Sequence, residues 1–252
     1  MARDAQRNPA RIVIHGTGRM ARSIDTAAVG AADLTVIALV GPQPPQWETA
    51  AAWFKDLHEL TAAAIPQPGL EPDLLIDFTL PDGTLAAARW CRERAVPLLS
   101  GVTGLPEHTL EALRETARGA PVLWSPNLSL GVNLLADLAA RAAAVLDPGA
   151  PVLIEDIHHQ WKKDAPSGTA LMLGETIAAQ RGGASAIEYR SLRQGEVVGE
   201  HTVRFRLAGE ELDLVHRAQD RSIFAGGALD AGRWLLQQPP GFYSARDWLA
   251  GR

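Results

Sequence analysis

The chain has 252 residues, 46 % of them hydrophobic and 21 % charged, which is enough for one large domain or two modest ones with a proper core. The formal net charge of −5 lacks the basic excess that nucleic-acid binding calls for, and the single cysteine, Cys91, excludes a disulfide framework and a cysteine-based metal site. No apolar run approaches the roughly 18 residues of a membrane span, and the polar start MARDAQRNPA has no apolar signal-peptide core, so a short frayed tail, a cytoplasmic home and no membrane partner are expected.

The first half alternates strand and helix. RIVIHG (11–16) is an apolar strand, and GRMARSIDTAAV has helical spacing through Met20 and Ile24. LTVIALVG (34–41) is a second strand, followed by a Pro- and Gly-rich loop over 41–47. DLLIDFT (73–79) is a third strand, and PDGTLAAARWCRERA is a helix for which Asp82 is the expected N-cap. VPLLSGVTG (96–104) is read as a strand, PEHTLEALRETARG as a helix with Pro106 in its first turn, and PVLWSP (121–126) as another strand. Continuous apolar strands separated by helices predict a parallel, doubly wound α/β sheet covered on both faces.

The pattern then changes. Ser129 is the expected cap of a long helix, LGVNLLADLAARAAAVL. PVLIEDIHHQW is a strand and GTALMLGETIAAQ a helix; AIEYRSLR, GEHTVRFRLA and ELDLVHRAQ read as strands, the last two joined through Gly209 and Glu210. Together they predict an α+β domain with an open mixed sheet. The closing helix SIFAGGALDAGRWLLQQ is expected to return to the first domain. The expected division is therefore 1–128 with 221–252, and 129–220.

Two stretches carry chemistry. Gly16-Thr17-Gly18-Arg19-Met20-Ala21 follows the first strand and opens the first helix, as a dinucleotide fingerprint requires. Gly16 permits the tight turn, Gly18 lets backbone approach a pyrophosphate, and the helix start offers N–H groups to the anion. The second strand ends ALVGPQPPQ, with neither the acid that binds a ribose diol nor an adjacent arginine for a 2′-phosphate. Arg19 and Arg22 are candidates for the phosphate, and the choice between NADH and NADPH stays open.

The second stretch is HHQWKKDAPSGTA (158–170). His158 and Lys162, four residues apart, are expected on one face whether the segment is strand or helix. Histidine transfers protons near neutral pH, and lysine adds fixed positive charge. His159 points the other way unless a bend before Asp164 swings it inward. The turn into the next helix, with the Ser167 and Thr169 hydroxyls, forms an anion site. This combination suits a small substrate with more than one carboxylate, although a solvated strand end with Ser167 as a plain N-cap has the same spacing. A histidine metal site lacks a compact third ligand set beyond His158, His159, Asp156 and Glu155, so no metal is expected.

HHQWKKDAPSGTA resembles the signature of the 4-hydroxy-tetrahydrodipicolinate reductase (dihydrodipicolinate reductase) family, His-x-x-x-Lys-x-Asp-x-Pro-Ser-Gly-Thr-Ala. IDFTLPDGT, GVTG, SPNLSLGVN, SLRQGEVVGEHTV and RSIFAGGALDAGRWL agree with the family in the same order, from Arg11 to about Leu249. The resemblance implies a Rossmann domain for NADH or NADPH and a second domain that binds a cyclic dicarboxylate and tetramerises through its sheet. It implies His158 as general acid and Lys162 as its cationic partner. His159, Ser167, Gly168 and Thr169 would hold a substrate carboxylate. Phe78 and Thr79 would lie near the cofactor, while residues 101–104, including Gly101 and Thr103, would line the nicotinamide end with Asn127, Leu128 and Ser129. The reaction implied is hydride transfer to an unsaturated heterocyclic dicarboxylate followed by protonation, in the diaminopimelate route to lysine.

The chain departs from the family at the shortened glycine loop with Ala21, at Val102 in place of a threonine, at Asp156 in place of a glutamate, and in the abbreviated segment AAQRGGASAIEYR. These departures leave two alternatives open. One is a reductase of the same fold acting on another cyclic imine or unsaturated dicarboxylate. The other is a non-catalytic nucleotide or dicarboxylate binder, against which the presence of both His158 and Lys162 speaks.

Overall fold

A computed structural model describes residues 8–182 and 186–252; most of the expected tail and part of the abbreviated segment lie outside them. The chain divides into two compact units, 1–128 with 224–252, and 129–223. The second crossing falls at Ile223/Phe224, inside the first turn of a helix, rather than at the expected 220/221.

The first unit is built on a seven-stranded sheet. Its strands are β1 (Ala10–His15), β2 (Leu34–Val40), β3 (Ala52–Phe54), β4 (Leu74–Asp77), β5 (Leu98–Ser100), β6 (Pro121–Trp124) and β11 (Gly241–Tyr243), in the order β11-β6-β5-β4-β1-β2-β3. Every pairing is parallel. Side chains alternate across a strand, so neighbouring apolar residues feed two separate cores. Ile12, Ile14, Leu74, Ile76, Leu99 and Leu123 pack with helices α1 (Arg19–Ala28), α7 (Ser222–Leu235) and α8 (Ala245–Ala250). Val13, Leu75, Leu98 and Val122 pack with α2 (Leu57–Ala64), α3 (Pro81–Arg94) and α4 (Glu107–Thr116). That division explains the continuous apolar strands and makes the sheet doubly wound, as expected.

Several local expectations are corrected. Leu80, not Asp82, is the N-cap of α3; Pro81 occupies the first helical position, which suits a residue without an N–H, and Asp82 follows in the first turn. Pro106 is the N-cap of α4 rather than a first-turn residue. The expected strand over 96–104 is ordered as strand only at Leu98–Ser100, because the chain leaves the sheet at Gly101. Two short strands, β3 and β11, and helices α2 and α8 carry too few periodic residues to stand out in the sequence.

The second unit has a four-stranded sheet of β7 (Val152–His158), β8 (Ile187–Arg193), β9 (Gly199–Leu207) and β10 (Glu210–Ala218), ordered β10-β9-β7-β8. β7 and β8 are parallel, and the other two pairings are antiparallel, so the sheet is mixed. Gly209, with φ 89°, makes the tight β9–β10 turn that a residue with a Cβ resists. Helices α5 (Leu130–Val145) and α6 (Gly168–Gln180) cover one face, burying Leu135, Ala139, Leu173 and Ile177 against Ile154, Val203 and Phe205. Ser129 caps α5 by accepting from Val132 N–H at 3.3 Å, as expected.

Candidate active site

In the first unit the candidate nucleotide residues gather at the carboxyl ends of β1, β4 and β5. Gly16 takes φ 125°, and a Cβ there would stand 3.0 Å from the Phe78 carbonyl oxygen, so the turn requires glycine. Gly18 is the N-cap of α1 without a side-chain cap, and no atom lies within 4 Å of its missing Cβ. Open backbone at a helix start is what a pyrophosphate approaches. Gly101 lies flat against Phe78, where a Cβ would fall 2.4 Å from the ring.

Two hollows flank this loop. One of about 370 Å³ is lined by Thr17, Gly18, Arg19, Arg22, Gln43 and Trp47, among others. The other, of about 210 Å³, is lined by Met20, Phe78, Gly101, Asn127, Leu128 and Phe224 with Ser125 and Pro126. Thr103 is exposed and lines neither. Thr79 is turned to Asp77, with Oγ1 donating to its carboxylate at 2.6 Å. Val102 is buried, so the methyl that replaces a hydroxyl faces the interior. Ser129 belongs to the second unit, where its hydroxyl serves the α5 cap.

A polar anchor beneath these loops was not legible from residue types alone. Asp77, fully buried at the end of β4, accepts from the Thr79 backbone N–H and hydroxyl, from Thr84 Oγ1 at 2.6 Å and from Ser100 Oγ at 2.9 Å. His15 Nδ1 stands 3.4 Å from the carboxylate without hydrogen-bond geometry. Burial pushes the carboxyl up, but the facing imidazole and the hydroxyl donors outweigh it and hold the group below its ordinary value.

In the second unit, β7 ends at His158, and the expected strand or helix does not continue to Lys162. Residues 159–162 form a turn closed by the Lys162 N–H to the His159 carbonyl at 3.1 Å. Spacing alone therefore does not put His158 and Lys162 on one face. His158 is buried, with Nδ1 2.9 Å from Asp156 Oδ1. Lys162 Nζ pairs with Asp164 at 2.7 Å, which holds the Asp164 carboxyl below its usual value. His159 lies beyond the strand end, tilted against Trp161, with Nε2 3.5 Å from Arg221 Nη2. Ser167 is the buried N-cap of α6, its hydroxyl accepting from Ala170 N–H at 3.1 Å, and Gly168 and Thr169 form the first turn. N–H groups of a first turn project from the helix end.

Asp156, His201 and Arg193 join this group. Asp156 and His158 are two apart on one strand and so face the same way. That relation was legible in IEDIHH. β9 places His201 beside Asp156, and its Nε2 lies 3.3 Å from Ser167 Oγ. Burial, reinforced by the neighbouring His158, pushes His201 down to about 4. Asp156 is raised by burial, but donors from His158, Ser191, Ser167 and Arg193 prevail and hold it well below the usual carboxylate range.

Comparison with known proteins places the chain in a family. Residues 10–128 match the family description "Dihydrodipicolinate reductase, N-terminus" and residues 131–249 match "Dihydrodipicolinate reductase, C-terminus". A 4-hydroxy-tetrahydrodipicolinate reductase of Xanthomonas euvesicatoria is 44 % identical over 239 residues, covering 94 % of this chain and 96 % of the relative. One from Stenotrophomonas maltophilia is 45 % identical over 244 residues, covering 96 % of this chain and 98 % of the relative. The solved dipicolinate-bound dihydrodipicolinate reductase of Paenisporosarcina superposes with a TM-score of 0.80 at 20 % identity, over 94 % of this chain and 97 % of that one, and shows the same fold. The chain belongs to the dihydrodipicolinate reductase family.

Proposed function

We propose that this chain is an NAD(P)H-dependent oxidoreductase that reduces 4-hydroxy-tetrahydrodipicolinate to tetrahydrodipicolinate in lysine biosynthesis, with His158 as the proton donor. The observation that carries the reading is the buried His158, bonded through Nδ1 to Asp156 beside the capped start of α6. The 4-hydroxyl leaves as water, and one hydride and one proton are added. Bound NAD(P)H supplies the hydride. The glycine loop at Gly16, Thr17 and Gly18 holds the pyrophosphate against the start of α1, with Arg19 and Met20 beside it. Phe78, Thr79, Gly101, Asn127 and Leu128 shape the nicotinamide end.

On the substrate side, the α6 turn at Ser167, Gly168 and Thr169 binds one carboxylate, and His159 adds a further donor. Lys162 contributes the cationic charge that a dianionic ring needs. The proton leaves His158 from Nε2, since Nδ1 is engaged. Gly199 keeps that nitrogen uncovered, because a Cβ there would stand 3.2 Å from it.

The finer assignments follow from the same residues. The hollow beside Gly18 carries two guanidinium groups, Arg19 and Arg22, and among the described residues no carboxylate lines it, which favours NADPH as the reductant. The face of the second sheet opposite α5 and α6 exposes Leu192 and Val215 among the ion pairs Arg204–Asp213 and Arg217–Glu200. Exposed apolar side chains among self-neutralised charges support a homotetramer built through that face, and equilibrium sedimentation checks it. The function itself is tested by oxidation of NADPH and NADH in the presence of enzymatically generated substrate. Turnover with a dicarboxylate product supports the reading. Nucleotide binding without turnover of this substrate refutes it and favours another cyclic imine.

A further inference from the structure

Asp156 has four hydrogen-bond donors around one buried carboxylate. Oδ1 takes His158 Nδ1 and Arg193 Nη1, each at 2.9 Å. Oδ2 takes the Ser191 hydroxyl at 2.6 Å and the Ser167 backbone N–H at 3.3 Å. The carboxylate is 1 % exposed, and four donors saturate its lone pairs. One side chain thus touches the proposed acid, the cap of the anion-binding helix and an arginine.

The arginine extends the connection. Arg193 Nε donates to the Lys162 carbonyl at 3.3 Å, and Nη2 donates to the Asp164 carbonyl. The turn is tied to the end of β8 twice more, by Gln160 N–H to the Gly195 carbonyl at 3.1 Å and Gln194 N–H to the His158 carbonyl at 2.8 Å. Asp156 has no lone pair left for a ligand, and Arg193 commits four of its five N–H donors here, Nε to Lys162, both Nη1 hydrogens to Asp156 and the Leu192 carbonyl, and one Nη2 hydrogen to Asp164. Their shared role is orientation.

We propose that Asp156 and Arg193 are the positioning residues of the reductase site. Asp156 keeps the Nδ1 hydrogen of His158 in place, so that Nε2 alone exchanges protons with the substrate, and Arg193 holds the 159–164 turn in the conformation that presents Lys162. The inference rests on the reading of His158 as acid and makes a claim that stands apart from turnover. An amide at position 156 cannot serve all four donors. Its nitrogen faces either the Ser167 N–H or the His158 and Arg193 donors, and the arrangement loses a partner on one side.

The test has two arms on the full-length protein. Nitrogen-15 correlation spectra of the histidine rings in the wild-type chain read the tautomer directly. His158 in its neutral form is expected to carry its hydrogen on Nδ1; a neutral His158 carrying it on Nε2 overturns the proposal. In the kinetic arm, Asp156→Asn is expected to lower kcat by about tenfold to a hundredfold with the nucleotide KM unchanged, and Asp156→Glu to recover a large part of it. Arg193→Gln is expected to raise the dicarboxylate KM by more than it lowers kcat. Wild-type kcat in Asp156→Asn, or equal losses in the Asn and Glu variants, also overturns the proposal. A wild-type protein that does not turn over the substrate refutes the proposed function instead, and the tautomer arm then decides the positioning claim. It decides in the same way if Asp156→Asn fails to fold.

Discussion

Each unit buries an aspartate beside a histidine, and the two aspartates do different things. Asp77 is held by Thr79, Thr84 and Ser100, all fixed on the ends of β4, α3 and β5. Its histidine, His15, is close but not hydrogen bonded. Asp156 is held by an imidazole that ends a strand and by a guanidinium whose other nitrogens reach a surface turn. The same chemical group in a similarly closed setting therefore acts as an anchor for strand ends in one unit and as an orienting device in the other. What decides the outcome is where its donors lead.

That contrast can be broken at several points. The largest effect is expected at His158: His158→Gln should lower kcat about 10²-fold or more, the ordinary worth of a general acid, with little change in nucleotide affinity by titration. An unchanged kcat would remove the acid from the account. Acid unfolding comes next. Burial moves His201 from 6.5 in the unfolded chain down to about 4 in the folded one, so only the unfolded chain binds a proton at intermediate pH. The contribution is complete above 6.5 and is lost as pH falls towards 4, a change on the order of 3 kcal/mol. Below that, protonation of the depressed Asp156 and Asp77 removes further stability as pH falls through the carboxylate range. Denaturant midpoints measured across this range should show the two steps, and His201→Gln should flatten the upper one. A slope unchanged by His201→Gln would show that another group is responsible.

The third expectation sharpens the comparison. Asp77→Asn should cost about 2 kcal/mol of stability through lost hydroxyl partners, seen as a lower melting temperature, while kcat falls far less than in Asp156→Asn. Equal losses of kcat would erase the distinction between anchor and orienting device. The smallest effect concerns nucleotide choice. Arg22→Ala should narrow the proposed preference for NADPH over NADH about fivefold, close to 1 kcal/mol for a charge-assisted contact at an open rim.

Much of this molecule was legible from residues alone. Period-two and period-3.6 apolar patterns located the long elements, and the GTG loop and the APSGT cap located the starts of α1 and α6. The polar wiring was not legible, because it depends on register. Asp156 meets Ser191 and His201 only through the pairing of β7 with β8 and β9. Arg193 reaches Lys162 and Asp164 across 31 and 29 positions of chain. His158 and Lys162 were singled out for their chemistry and for a resemblance, but the regular strand or helix assumed between them is replaced by a turn after the strand end. Short elements such as β3 and β11 gain their stability from pairing on a preformed sheet edge, which no local pattern announces.

The central claim is that His158 faces a dicarboxylate ring whose carboxylate sits on the first turn of α6. A crystal structure of the chain with pyridine-2,6-dicarboxylate and reduced nucleotide tests it most directly. The account predicts one carboxylate on the Gly168 and Thr169 backbone and His158 Nε2 turned to the ring. A diacid bound elsewhere, with His158 and His159 both facing bulk water, contradicts it.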